Sequence, residues 1–247
     1  MVSVIQSQKY LECTFDQGDF PCKFIPFGTA PELQSISLIM IDNPAVKPSM
    51  PLSDVTSITV PTLGNNLSCQ IPYQLDDDSE NLYFCSKSRG STTPASCLTA
   101  DSSIQECMLG QYVLAQLAVE ENHTYFIEVQ GTTRPSCLSF YYYISNPNVG
   151  QIIIRYSDII ASTMEQIGTA SNVSFNGWHE IHFTFKANVT DYRIYFDLQR
   201  LEHTDKLVFI ALDEIKIVYG RCESDIVDTT TTVSKIFITS QIILIFC

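Results

Sequence analysis

The sequence predicts an all-β fold, an antiparallel sandwich or barrel. Two observations predict it. Many short segments alternate apolar and polar residues with a period of two, and turn residues separate them. No segment sustains a 3.6-residue period, so the crossover helices of a parallel α/β fold are missing.

The elements follow in chain order. Cys13 and Cys22 flank Phe15, Asp16, Gly18, Asp19 and Phe20 and bound a small loop. Residues 33–41 and 55–60 read as strands, separated by a loop carrying Pro44, Pro48 and Pro51. Residues 64–72 read as a turn region. Residues 61–110 are the least legible stretch; they hold four cysteines and the acidic run Asp76-Asp77-Asp78-Ser79-Glu80. That run lacks the glycine and the alternate spacing of an EF-hand loop and reads as a solvated loop. Tyr125, Ile127 and Val129 form one apolar stripe, and Leu138, Phe140, Tyr142 and Ile144 the next. Asn146, Pro147, Asn148 and Gly150 then make a turn. The continuous apolar run 151–156 suits a central strand. Residues 158–167 read as a short helix or a loop. Alternation returns at His179, Ile181, Phe183, Phe185 and again at Tyr192, Ile194, Phe196, Leu198.

The last strand, 207–222, predicts the organisation of the whole. Its odd positions Phe209, Ala211, Asp213, Ile215, Ile217 and Tyr219 are expected to share one face, with Glu214 and Lys216 opposite. Asp213 is the anomaly. A carboxylate on an apolar face must be hydrogen-bonded, paired or bound to a cation.

Composition narrows the function. A net charge of −13 argues against nucleic acid and anionic membrane surfaces as partners. Of nine cysteines, eight lie in the body and Cys247 is the last residue. None stands in a zinc spacing, so the eight fit four disulfides and an oxidising compartment. Four sequons, at Asn66, Asn122, Asn172 and Asn188, agree with a secreted glycoprotein. Residues 1–10 are polar, without a signal's apolar core, and read as a leader remnant or a start whose signal is missing. Residues 224–235 form a Thr-rich spacer and 236–247 a hydrophobic tail of GPI-signal length, with Ser224 or Asp228 as the attachment residue. A truncated membrane span is the other reading of that tail.

A family resemblance now becomes visible. The segments are Cys137-Leu-Ser-Phe-Tyr-Tyr-Tyr-Ile, Gly150-Gln-Ile, Gly177-Trp178, Tyr195-Phe196 and Ile210-Ala-Leu-Asp-Glu-Ile-Lys-Ile-Val-Tyr-Gly-Arg-Cys222. In order and spacing they resemble the MAM domain, and Cys13-Thr-Phe-Asp16 is similar to its opening Cys-x-Phe-Glu. The chain departs from the pattern at Asp16 and Glu214, in a longer first half, and in four extra cysteines. The resemblance implies a jelly-roll-like sandwich of two antiparallel sheets, one domain over residues 11–223. It implies the bridges Cys13–Cys22 and Cys137–Cys222; the pairing of Cys69, Cys85, Cys97 and Cys107 stays open. It implies a non-enzymatic extracellular module for adhesion and protein contacts, self-association included, secreted or held at the cell surface.

Candidate sites follow. In jelly-roll modules, the fold that the resemblance implies, an acidic residue near the first strand often meets one on the last at a structural cation; here that would be Asp16 with Asp213 around calcium or sodium. Backbone N–H groups, Arg193 or Arg221 are the alternative partners of Asp213. Trp178 beside His179 and Tyr192 reads as packing, with a sugar platform as the other reading. His179 and His182 point to opposite sides of a strand, against a zinc pair. Catalytic motifs are absent, and no cofactor beyond the structural ion is expected. A carbohydrate-binding or carbohydrate-active jelly roll is the alternative function.

Overall fold

The computed structural model describes residues 9–16, 22–146, 148–159, 163–171, 173–201 and 207–223. Residues 1–8, the 224–247 spacer and tail, and the sequon Asn172 lie outside the described residues.

Two antiparallel sheets face each other. The first contains β1 (Lys9–Cys13), β3 (Gln34–Ile36), β6 (Tyr112–Leu117), β8 (Ser136–Ile144), β11 (His179–Phe185) and β13 (Val208–Tyr219), in the order β11-β8-β13-β6-β3. β1 pairs with the second half of β13, beyond the part that pairs with β6. The second contains β2 (Ile25–Phe27), β7 (His123–Gln130), β9 (Gly150–Asp158), β10 (Met164–Ala170) and β12 (Asp191–Arg200), in the order β10-β9-β12-β7-β2. This is the all-β sandwich of two antiparallel sheets that the sequence predicts.

The alternating stripes build the space between the sheets. Leu138, Phe140, Tyr142 and Ile144 of β8 meet Tyr125, Ile127 and Val129 of β7, Ile152 and Ile154 of β9, and Tyr192, Ile194, Phe196 and Leu198 of β12. Phe140 stands edge-on to Phe196 across the sheets, ring centroids 5.5 Å apart. Edge-to-face contacts of this kind add about 0.5–1.5 kcal/mol to the area buried.

The first sheet is covered on its other face as well. Tyr112, Leu114, Tyr143, Ala211 and Trp178 form a second core with Ile41, Leu52, Val55, Tyr73, Leu82 and Phe84, all from one stretch. That stretch, roughly the chain between β3 and β6, is an insert laid over the outer face. It holds a helical turn α1 (Thr56–Thr59) and the small hairpin β4 (Ser96–Leu98) and β5 (Ile104–Glu106). Two bridges clip it, Cys69–Cys97 and Cys85–Cys107. The sandwich carries Cys13–Cys22 and Cys137–Cys222. The last closes 85 residues, which in a chain-entropy model restricts the unfolded state by about 4 kcal/mol.

Four expectations are corrected. Residues 55–60 form α1 and not a strand: the Asp54 carboxylate accepts the Thr56 amide, Thr59 Oγ1 donates to Val55 O, and the chain turns instead of extending. Of 33–41, only Gln34–Ile36 is a strand, because Leu38 and Ile41 leave the sheet for isolated bridges with Ser53 and Ser88 of the insert. Residues 164–170 are an edge strand, β10, neither helix nor loop. Its register shifts between Gln166 and Gly168, which hides the alternation. Finally, the odd positions of β13 do not share one face. Glu214 sits at φ +49° in a bulge between Asp213 and Lys216. An extra residue there flips the parity. Val208, Ile210 and Leu212 face the sandwich core before the bulge, and Ile215 and Ile217 after it. Ala211 faces the insert, and Asp213 is aimed at the insert's Val55 amide. β6 itself, nearly all buried, is a strand that the sequence reading does not single out.

Candidate functional site

The bulge carries Asp213 away from the sandwich core to the seam between sheet and insert. Its carboxylate, 1% exposed, accepts the Val55 N–H at 2.9 Å through Oδ2 and the Glu214 N–H at 2.8 Å through Oδ1. Neither Arg193 nor Arg221 reaches it; Arg193 pairs with Glu128 on the other sheet. Burial pushes the Asp213 carboxyl well above its ordinary value, nearby Asp54 and Glu214 push the same way, and the two amides pull it back.

Asp54 is the residue that sequence reasoning missed. It is fully buried at the start of α1, with Oδ2 accepting the Thr56 amide and Oδ1 left without a hydrogen-bond partner. Its carboxyl is raised, chiefly by burial, with the Gly110 and Thr56 groups opposing. No strong local signal announces it: Asp54 stands among Leu52, Ser53, Val55, Thr56 and Ser57, a stretch of mixed polar and apolar residues.

Asp16 completes the group. Phe15 at φ +61° turns the chain after β1, and Asp16 Oδ1 accepts the Gln111 amide at 2.8 Å. Burial raises the Asp16 carboxyl, and repulsion from Asp54 and Glu214 adds to it. Gly110 lies between the two carboxylates. A Cβ there would stand 1.8 Å from Asp16 Oδ1 and 2.8 Å from Asp54 Oδ2, so only glycine leaves the gap open. Asp16 and Asp54 thus face each other across a side-chain-free position, with Asp213 beside Asp54.

Among the described residues, no Lys or Arg forms an ion pair with Asp16, Asp54 or Asp213; Lys216 is held by Glu214 at 2.5 Å and Glu12 at 3.7 Å. The seam thus collects three carboxylates raised by burial and one buried oxygen without a hydrogen-bond partner. A hard cation takes oxygen ligands of this kind, but the three carboxylates do not bring their oxygens within 4.8 Å of one another, so an ion would have to draw them closer together.

The remaining candidates are plainer. Trp178 is buried; its Nε1 donates to Ser53 O at 2.9 Å, and its ring stands edge-on to Tyr112. It anchors the insert and offers no face to a sugar. His182 is exposed beside Glu180, while His179 packs between Phe175 and Tyr142. The acidic run is a turn pinned by Ser79, whose Oγ accepts the Leu75 and Asp76 amides, and Asp76, Asp77 and Asp78 stay exposed. Asn66, Asn122 and Asn188 are all exposed. Asn122 Oδ1 accepts the Arg200 amide, and Asn188 Nδ2 donates to the Tyr156 hydroxyl.

Residues 79–223 match the model of the MAM domain family, meprin/A5/mu. The chain belongs to the MAM domain family. The match takes in the hairpin of the insert and all the sheet strands from β6 onward. No curated protein matches this MAM chain significantly. Among solved structures, it is similar to a family 61 carbohydrate-binding module in complex with β-1,4-galactotriose (11% identity, TM-score 0.34, covering 51% of this chain and 81% of that one). It is also similar to a family 29 carbohydrate-binding module (13%, 0.35, 48% and 77%). A third is the K3 cleaved adhesin domain of Lys-gingipain from Porphyromonas gingivalis (12%, 0.34, 47% and 80%). At these scores no ligand or residue role is carried over to the MAM chain.

Proposed function

We propose that this MAM domain is a non-catalytic extracellular module that makes protein–protein contacts at the cell surface, with itself or with another protein. The observation that carries the reading is the family match over residues 79–223. Four disulfides and three exposed sequons support an extracellular setting. In this reading the hydrophobic tail 236–247 tethers the domain to the membrane. The carbohydrate alternative loses its named platform, because Trp178 is buried.

In the same reading Asp16, Asp54 and Asp213 hold a structural calcium or sodium ion. The ion offsets the repulsion of the buried carboxylates and joins the start of the domain, the insert and β13. Its role is to fix the contact surface, not to catalyse.

The test uses the glycosylated protein, secreted from eukaryotic cells behind a supplied signal peptide and coupled to beads. Bead self-aggregation, or binding to cells that protease treatment removes, supports the proposal. Binding that survives protease and is lost to glycosidase treatment of the cells would transfer the function to the carbohydrate reading.

A further inference from the structure

The two bridges of the insert are not independent. Cys69 Sγ of one lies 4.0 Å from Cys107 Sγ of the other. Cys97 Sγ is within 4.8 Å of both. Three of the four sulfurs are therefore within one thiol–disulfide step of a neighbour on the other bridge. The backbone brings them together. The β4–β5 hairpin sets Cys107 opposite Ala95, through the Cys107 N–H to Ala95 O bond at 3.1 Å, two residues from Cys97. Cys69 arrives by an isolated bridge with Thr99.

Access differs among the four. Cys85, Cys97 and Cys107 are buried, at 0%, 1% and 4% exposure, and Cys69 is partly exposed. Elsewhere, Cys137 and Cys222 are buried, at 6% and 2%. A small thiol meeting the insert therefore reaches Cys69 first.

We infer that the insert is a thiol–disulfide exchange site, at which a small-molecule thiol such as glutathione re-pairs the two bridges through Cys69. The thiolate attacks Cys69 Sγ; a mixed disulfide forms, the Cys69–Cys97 bond breaks, and Cys97 leaves as a thiolate. Cys97 attacks Cys107 Sγ, the Cys97–Cys107 bond forms, and Cys85 leaves as a thiolate. Cys85 was bonded to Cys107, the sulfur 4.0 Å from Cys69, so its thiolate is released next to the pair and attacks Cys69. That attack forms Cys69–Cys85 and returns the thiol. No net oxidation or reduction occurs, and the thiol is a catalyst. The exchange happens beside the carboxylate seam, since Cys69 Sγ is 3.3 Å from Ser57 O on α1.

The experiment keeps the folded, secreted, glycosylated protein in a buffer of reduced and oxidised glutathione near pH 8. Aliquots are quenched in acid, free thiols are alkylated, and disulfide peptides are mapped without reduction. Peptides that join Cys97 to Cys107 and Cys69 to Cys85, growing with time and faster as pH approaches the thiol pKa, are the expected result. Cys13–Cys22 and Cys137–Cys222 in the same sample stay unchanged. Reduction of Cys69–Cys97 alone, with Cys85–Cys107 intact, would overturn the inference. So would no reaction, or scrambling that also reaches the two sandwich bridges, which marks unfolding.

Discussion

The sandwich and the insert are two answers to the same problem of burying a chain. The sandwich does it with repetition. Leu138, Phe140, Tyr142, Ile152, Ile154, Ile194 and Phe196 repeat at a spacing of two, and ladder hydrogen bonds satisfy the backbone. The insert has little regular structure, so its buried backbone is satisfied one group at a time. Tyr73 OH donates to Phe84 O, Tyr112 OH to Pro51 O and Trp178 Nε1 to Ser53 O. Two disulfides hold what those bonds do not. The comparison teaches that one sheet, through its two faces, serves both kinds of packing, and that the seam between them is where the charge collects.

The largest expected effect belongs to the sandwich. Phe140→Ala empties a position with no exposure at the middle of the core and is expected to cost ~3–5 kcal/mol, read from the denaturant midpoint. It should lower the stability of both regions, because the insert has no floor without the sheet. The insert comes next. Removing one bridge by the double change Cys85→Ala with Cys107→Ala is expected to cost about 2–4 kcal/mol. Hydrogen exchange should rise across residues 69–107 while β8 and β12 keep their protection. Equal loss in both regions would break the comparison. Smaller again is Trp178→Phe, which leaves Ser53 O without its donor and should cost ~1–3 kcal/mol, again with the insert exchanging first.

The seam gives the smallest and most specific effect. The carboxyls of Asp16, Asp54 and Asp213 are raised in the folded state, first by burial. In the presence of a chelator the folded protein therefore binds more protons than the unfolded chain at pH values above the ordinary carboxylate range near ~4. Their contribution to stability then falls as pH rises through the folded-state values. His123 and His179, both lowered by burial, act in the opposite sense over the same range. Acidifying from pH 7 toward ~5 should therefore raise the melting temperature relative to an Asp54→Asn, Asp213→Asn variant, which keeps both histidines. Saturating calcium should abolish that gain, because a bound cation favours the charged carboxylates. The same change in melting temperature in both proteins on mild acidification in chelator would contradict this.

Much of the sandwich was legible in the sequence because period-two alternation reports a strand with one buried face. Legibility failed where one residue breaks the register. Glu214 adopts positive φ without being glycine, and nothing in Leu-Asp-Glu-Ile announces it, so the face of Asp213 was misread while its anomaly was not. The insert was illegible for a different reason: its shape depends on single long-range bonds such as Trp178 to Ser53, 125 residues apart, which no local pattern encodes. Asp54 belongs to that class. Asp16 and Asp213 stand at the family's motif positions, but the carboxylate between them arrives from the insert.

The most direct test of the seam is hydrogen exchange on the secreted protein, stripped with chelator and then given calcium or sodium. The account predicts slower exchange over residues 50–60, where the Val55 and Thr56 amides bond to Asp213 and Asp54, with β8 and β12 unchanged. Asp54→Asn should remove the response. No change on adding either ion, or a uniform change across both regions, would contradict it.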